Sequence, residues 1–311
     1  MKYFIITIDT EGDDLWSWSR DKKITTQNVD FLERFQTISN HYGFFPVWLT
    51  NHEMISDDKY VDFIYKVEEA GLGELGMHLH AWNSPPIFEL PHESNGNPYL
   101  IEYPPEIIEQ KILFITEEIE KKTGIKPVSH RAGRWATNDL YFKLLVKYGY
   151  LCDCSVTPFV DWSSSPGQTK ESHGSDYSHI RKGGCFSHKG ILEVPVTIME
   201  VKRFFLPEFF NLRSIAKSFY HGMQKKHLWL RPNGSNLKQM KYLIDSIKAS
   251  QIDYAMFMLH SSELMPGGSP AFKSKESIEK LYDDISELFA YVSRDFRGIT
   301  LRDYYRIKTI G

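Results

Sequence analysis

The chain has 311 residues, 41% hydrophobic and 25% charged, with 37 basic against 40 acidic side chains and a formal net charge of −3. It is long and apolar enough to bury a substantial core, and its composition excludes a disordered chain, a collagen, a coiled coil and a disulfide scaffold. The near-neutral charge leaves no broad basic field for nucleic acid, and three cysteines, Cys152, Cys154 and Cys185, are too few for a disulfide framework and wrongly spaced for a usual zinc knuckle.

The first apolar run, 3–9, is too short for a signal peptide or a membrane span and reads as a buried strand ending at Asp9, so a reducing cytoplasm is the simplest location. Further strands are expected over 44–50, 74–80, 128–133, 151–156, 191–198, 254–261 and a short 298–301. Amphipathic helices alternate with them over 26–42, 58–70, 105–123, 138–148, 236–250 and 275–294, with another near 212–224. Gly43, Gly71, Gly124 and Gly149 follow four of these helices, where a left-handed C-cap is expected. Short apolar runs separated by helices imply parallel strands joined by crossovers. No linker or composition shift divides the chain, so 1–311 is expected to form a single barrel-like α/β domain. Two long irregular stretches, 81–104 and 157–190, follow the third and fifth strands at their C-terminal ends, the face on which parallel barrels place their active sites.

Nearly every strand ends in a group that can ligate, titrate or donate. His78 and His80 are two apart on a strand, so their rings project to one face about 6–7 Å apart and both can reach one metal. Asp9 and Glu11 share that spacing, which lets both carboxylates face one pocket, one as an oxygen ligand and one as a base. His130-Arg131, Asp153 and His260 close three other strands at the same end.

In chain order, Asp9-x-Glu11, Glu74-Leu-Gly-x-His78-x-His80, His130-Arg131-Ala-Gly-Arg134-Trp135, Asp153-x-Ser155-Val156-Thr157-Pro158 and Leu259-His260-Ser-Ser-Glu-Leu resemble the five-motif pattern of the polysaccharide deacetylases, carbohydrate esterase family 4. The resemblance spans practically the whole chain and is closest to a divergent branch associated with bacterial surface-polysaccharide gene clusters. It implies a distorted (β/α) barrel of seven or eight units and a divalent metal, usually zinc, that polarises an N-acetyl carbonyl on a sugar or sugar precursor. It further implies Asp9 as the base, Glu11 as the metal carboxylate, His78 as the first metal histidine and Arg131 as the residue holding the base. His260 would be the general acid for the leaving amine, oriented by Asp153 or Asp161.

The sequence departs from the common pattern at three points. Thr10 stands where the common first motif has its second aspartate, and the acid comes one residue later at Glu11. The common second motif has histidines four apart, but that place is Trp82, which leaves His80 as the second ligand. Gly133 replaces a proline of the third motif. Two other readings remain: a metal-free saccharide-binding relative, fed by Thr10 and Trp82, and a metal amidohydrolase acting on a non-sugar amide, since that superfamily also carries His-x-His on a strand.

Trp16, Trp18, Trp82, Trp135 and Trp162 all follow strand ends and suit sugar-stacking walls as well as loop packing. Glu193, an acid inside an apolar strand, is expected to be paired or to face the cleft. His130, adjacent to Arg131 on a strand, is expected to face away from it and serve structure. The near-zero net charge fits a largely uncharged saccharide.

Overall fold

The structure is a computed structural model that describes residues 1–17, 19, 22–181, 183–202 and 225–310. The helix expected near 212–224 and Trp18 lie outside the described residues. The strands are β1 (Lys2–Thr10), β2 (Val47–Thr50), β3 (Glu74–Leu79), β4 (Ser129–Ala132), β5 (Cys152–Asp153), β6 (Phe186–His188), β7 (Ile191–Glu193), β8 (Ile198–Lys202), β9 (Lys225–Trp229), β10 (Tyr254–His260) and β11 (Phe296–Gly298). The helices are α1 (Leu32–His41), α2 (His52–Ile55), α3 (Asp58–Glu69), α4 (Pro105–Thr123), α5 (Asp139–Lys147), α6 (Leu237–Ala249), α7 (Lys275–Val292) and α8 (Leu301–Ile310).

Among the described residues the main sheet runs β10-β1-β2-β3-β4-β5-β7-β6, with β11 added beside the start of β1. All its pairs are parallel except β6 with β7, and β8 and β9 form a separate antiparallel hairpin. The sheet curls into a half-barrel with helices outside, the α/β barrel class expected from the alternation of short apolar runs and helices.

Side-chain parity sorts β1 between two cores. Phe4, Ile6 and Ile8 face the layer under the helices, where they meet Phe35, Trp48, Phe257 and Phe289. Ile5 faces the lumen with Val47, Leu49, Cys152, Val194 and Met256. Thr7 and Asp9 continue the lumen row, so the barrel interior changes from apolar to polar toward the C-terminal ends of its strands. Helix ends follow the expected chemistry: Asp57 caps α3 by accepting from Lys59 and Tyr60 N–H, and Gly124 closes α4 at φ +72°.

The differences from the sequence reading lie at strand ends and beyond. The segment expected as one strand over 191–198 is broken between β7 and β8 around Pro195, which lacks an N–H for the ladder. The expected fifth strand, 151–156, keeps only two ladder residues. Helix α8 occupies the end of the chain, where no helix was expected.

Candidate functional site

Glu11, His78 and His80 bring one ligand atom each to a single point, all three buried. Strand β3 turns Gly76, His78 and His80 to the lumen, while Leu75, Met77 and Leu79 pack under the helices. Glu11 follows β1 and is pinned by Ser261, whose Oγ accepts from Glu11 N–H and donates to its carbonyl, both at 3.1 Å. The two Nε2 atoms are 3.0 Å apart, and Glu11 Oε2 lies 3.7 Å from His78 Nε2 and 3.4 Å from His80 Nε2. A tetrahedral ion with bonds of about 2.0–2.2 Å spaces its donor atoms about 3.3–3.6 Å apart, so this triangle fits one face of such a site.

The donor chemistry agrees. His78 Nδ1 donates to the Arg131 carbonyl at 2.9 Å, which leaves Nε2 as the lone pair turned inward, the arrangement that orients metal-bound histidines. Burial pushes the His78 ring down to about 4 and the His80 ring well below its ordinary value, so both are neutral and able to ligate. The His80 Nδ1 atom is buried without a hydrogen-bond partner. Burial, together with Asp9, Glu53 and Glu263, raises Glu11 well above the usual carboxylate range, against the opposing charge of Arg231.

Gly133 leaves room for the His80 ring where it stands. A Cβ at Gly133 would lie 2.5 Å from the His80 ring and 2.4 Å from the Leu79 carbonyl oxygen. A side chain at residue 133 could not share this space with the His80 ring as it stands.

Beside the triangle stand a carboxylate and an imidazole, Asp9 and His260. Register places Asp9 directly against His260 across β1 and β10, and His78 against Arg131 across β3 and β4. Arg131 is fully buried; its Nη1 donates to Asp9 Oδ1 at 2.5 Å, Nη2 to Thr7 Oγ1 at 2.8 Å and Nε to the Cys154 carbonyl at 3.1 Å. Burial alone would raise the Asp9 carboxyl, but the Arg131 guanidinium, with His78 and His260, outweighs it and holds the group well below the usual carboxylate range. Asp9 Oδ2 lies 3.7 Å from His260 Nε2. On the far side of the ring, His260 Nδ1 lies 3.2 Å from Glu263 Oε2 and 3.0 Å from Arg231 Nη2, and Arg231 also donates to Glu263 Oε1 at 2.9 Å. Burial works against the Glu263 charge, but Arg231 and His260 hold it at about 2.

These groups floor a cavity of about 300 Å³ whose walls include Trp16, Trp82, Asn97, Arg134 and Trp135. Trp82 stacks on His80 with ring centroids 4.3 Å apart, Trp16 meets His260 edge-on at 5.0 Å, and Trp135 lies 5.1 Å from the Arg131 guanidinium. Trp162 lines a neighbouring cavity with Trp135 and Trp229, and its indole N–H donates to Thr157 Oγ1.

Asp153 and Glu193 do not reach the cleft: this corrects the place expected for Asp153 beside His260 and any substrate contact of Glu193, which is instead paired with Asp153, the other alternative expected for it. His130, Asp153 and Glu193 are paired in register across β4, β5 and β7 on the face opposite Arg131. Asp153 Oδ1 accepts from His130 Nδ1, whose Nε2 meets Tyr141 of α5, and Glu193 Oε1 accepts from Val156 N–H. Asp161 accepts from Ser163 N–H in a loop bridge with Asp176. The acid against His260 is therefore Glu263, and its signal was the His260-x-x-Glu263 spacing, which lets the Glu263 carboxylate take the His260 backbone N–H at 2.9 Å across one 3-10 turn. Arg231 follows the β8–β9 hairpin and carried no signal in the sequence.

No protein-family model matches the sequence, and no curated protein matches it significantly. Among solved structures, a candidate polysaccharide deacetylase from Mycobacterium smegmatis is similar at 15% identity and a TM-score of 0.53, over 98% of this chain and 90% of that one. The 4-alpha-glucanotransferase of Thermococcus litoralis is similar at 12% identity and a TM-score of 0.52, over 98% of this chain and 40% of that one. At these identities the likeness is one of fold. Since that fold is shared by proteins described with different activities, the reaction has to be read from the site.

Proposed function

We propose that the chain is a metal-dependent carbohydrate N-deacetylase of the carbohydrate esterase family 4 type, which hydrolyses the N-acetyl amide of a saccharide or sugar precursor in bacterial surface-polysaccharide synthesis. The observation that carries this reading is the convergence of Glu11, His78 and His80 on one point, with the Asp9–Arg131 and His260–Glu263 pairs beside it. The likeness of fold to a candidate polysaccharide deacetylase supports it. The proposal includes a single domain over 1–311, zinc as the metal, and the cytoplasm as the location; no helix among the described residues is long and apolar enough to cross a membrane.

Amide hydrolysis needs a nucleophile at neutral pH and a counter-charge for the oxyanion. Held by Glu11, His78 and His80, a divalent ion supplies both by acidifying water and polarising the carbonyl. Asp9, ionised and fixed through Oδ1 by Arg131, takes the water proton on Oδ2 as oxygen bonds to the acyl carbon. His260 gives a proton from Nε2 to the amide nitrogen as the C–N bond breaks, and Glu263 with Arg231 keeps that nitrogen turned to the cleft. Trp16, Trp82 and Trp135 offer flat apolar walls to a sugar ring.

The test joins metal analysis of the purified protein with acetate release from N-acetylated saccharides. One equivalent of metal, release that stops with chelator, and loss of both in Glu11→Ala and His78→Ala are expected. Saccharide binding indifferent to chelator, with no acetate from any substrate, would replace the enzyme by a binding relative.

A further inference from the structure

Three arginines stand at the cleft, and two are matched by acids: Arg131 by Asp9 and Arg231 by Glu263. Arg134 is the third. It lines the same cavity as Asp9, Glu11, His78, His80 and His260, yet among the described residues no carboxylate oxygen lies within ion-pair distance of its guanidinium. Its Nη1 and Nη2 donate to the backbone carbonyls of Asn97 and Pro166, and the guanidinium lies 3.9 Å from the centre of the Tyr99 ring. Glu102, an acid close enough to influence Arg134, is spent on the backbone N–H groups of Tyr99, Gln168 and Thr169. A guanidinium carries five N–H donors, and two carbonyls occupy two of them, so three N–H groups remain for a ligand, on a charge that meets the Tyr99 ring face and no paired carboxylate among the described residues.

The backbone holds this placement against its own preference. Arg134 at φ 55° and Trp135 at φ 65° are consecutive left-handed residues with side chains, each costing about 1–2 kcal/mol, directly after Gly133. Such conformations persist where the surroundings over-determine them, often at ligand clamps. A half-buried cation met by two neutral carbonyls and an aromatic face has also lost hydration without gaining a counter-ion. The planar fork matches a carboxylate or a phosphate through two parallel hydrogen bonds.

We propose that Arg134 is the anion-recognising residue of the cleft and that its saccharide, in place of the largely uncharged one expected from net charge alone, carries an oxyanion, a carboxylate or a phosphate, close to the acylated amine. The acylated amine rests on the deacetylase reading; the oxyanion contact is a matter of binding and is tested without turnover. Calorimetry on the metal-loaded Asp9→Asn protein, in which turnover is suppressed while the cleft keeps its shape, would compare a neutral N-acetylhexosamine oligosaccharide, the same oligosaccharide with an N-acetylhexosaminuronate, and one with a sugar phosphate, the Arg134 substitutions being made in the same background. At least one anionic ligand should bind at least tenfold more tightly than the neutral one, with a preference that shrinks as salt is added, and the tighter of the two identifies the oxyanion. Arg134→Gln should remove that preference while changing neutral binding by less than threefold, and Arg134→Lys, which keeps the charge, should restore part of it. Equal binding of all three ligands, no binding of either anionic one, or equal weakening of neutral and anionic binding in Arg134→Gln would overturn the proposal, the last result leaving Arg134 as a tie between two loops. Acetate release with no anionic preference would uphold the deacetylase and sink this inference. An Arg134-dependent preference with no acetate release would do the reverse.

Discussion

The floor of the cleft and its rim are built by different physics. Asp9, Glu11, His78, Arg131 and His260 lie on strands or within one residue of their ends, are buried or nearly so, and are placed by ladder register: Asp9 against His260, His78 against Arg131. The rim residues Trp16, Trp82, Asn97, Arg134 and Trp135 come from loops and a strained turn, and their positions depend on contacts distant in sequence, such as Arg134 with Asn97 and Pro166. A parallel sheet fixes a pair of strand-end side chains once each strand is identified, because the period of two leaves a single choice of face. A loop offers no such rule. The floor should therefore carry the chemistry and the rim the choice of substrate, and substitutions can separate the two.

The largest effect is expected on the floor. Asp9→Asn keeps the shape but removes the proton acceptor, so kcat should fall by about 10²–10⁴-fold while metal content is retained. Loss of the metal together with activity would show that Asp9 belongs to the ligand set instead.

Glu263→Gln comes next. It keeps the contact to His260 but removes the charge that faces the ring and Arg231, and a drop of about 10–100-fold in kcat with little change in KM is expected, the size seen when an orienting partner is lost. The same substitution has a signature in stability. The Glu263 carboxyl is depressed from 4.5 to about 2, so the stabilisation it contributes, roughly 3 kcal/mol, is fully present above pH 4.5 and is lost as the pH falls toward 2. Denaturant unfolding of wild type and Glu263→Gln should differ most above pH 4.5 and converge on acidification. A constant gap across that range would remove the ion-pair account of this acid.

On the rim, Trp135→Ala should raise KM by about 2–10-fold, the worth of one aromatic contact, and leave kcat within a few-fold. A fall in kcat of a hundredfold would move Trp135 to the floor, through its contact with Arg131.

How far the sequence could be read follows the same division. The strand-helix alternation, the lumen face of β3 and the Asp9/Glu11 and His78/His80 spacings were legible because periods of two and 3.6 are local properties. Gly133 was visible only as a departure; its meaning needed the His80 ring beside it. Arg231 and the pairing of Arg134 with two loops depend on chain crossings that no local pattern records. The place of Asp153, and the choice between pairing and cleft for Glu193, were hidden for a different reason. On strands of two and three residues, parity cannot be fixed from the apolar pattern, and both carboxyls turn to the outer face.

That outer face supplies the smallest expected effect on turnover and the sharpest check on the assignment of Glu263. Asp153 is wholly buried under α5, where Oδ1 accepts from His130 and Ser155 Oγ and Oδ2 accepts from Ser155 N–H. In Asp153→Asn an amide nitrogen must face one of these donors, so a buried hydrogen bond is lost at a cost of about 1–3 kcal/mol and the melting temperature should fall by a few degrees. Toward the floor, Arg131 takes the Cys154 carbonyl, which the change does not touch, and the Asp153 charge felt at Arg131 is opposed by His130 directly beside it and ranks behind that of Asp9. Turnover should therefore stay within about twofold of wild type, against the 10–100-fold drop of Glu263→Gln. If Asp153→Asn instead matched Glu263→Gln in kcat while keeping its metal, the acid governing His260 would act from the outer face, and the division between a register-built floor and a structural ladder behind it would fail.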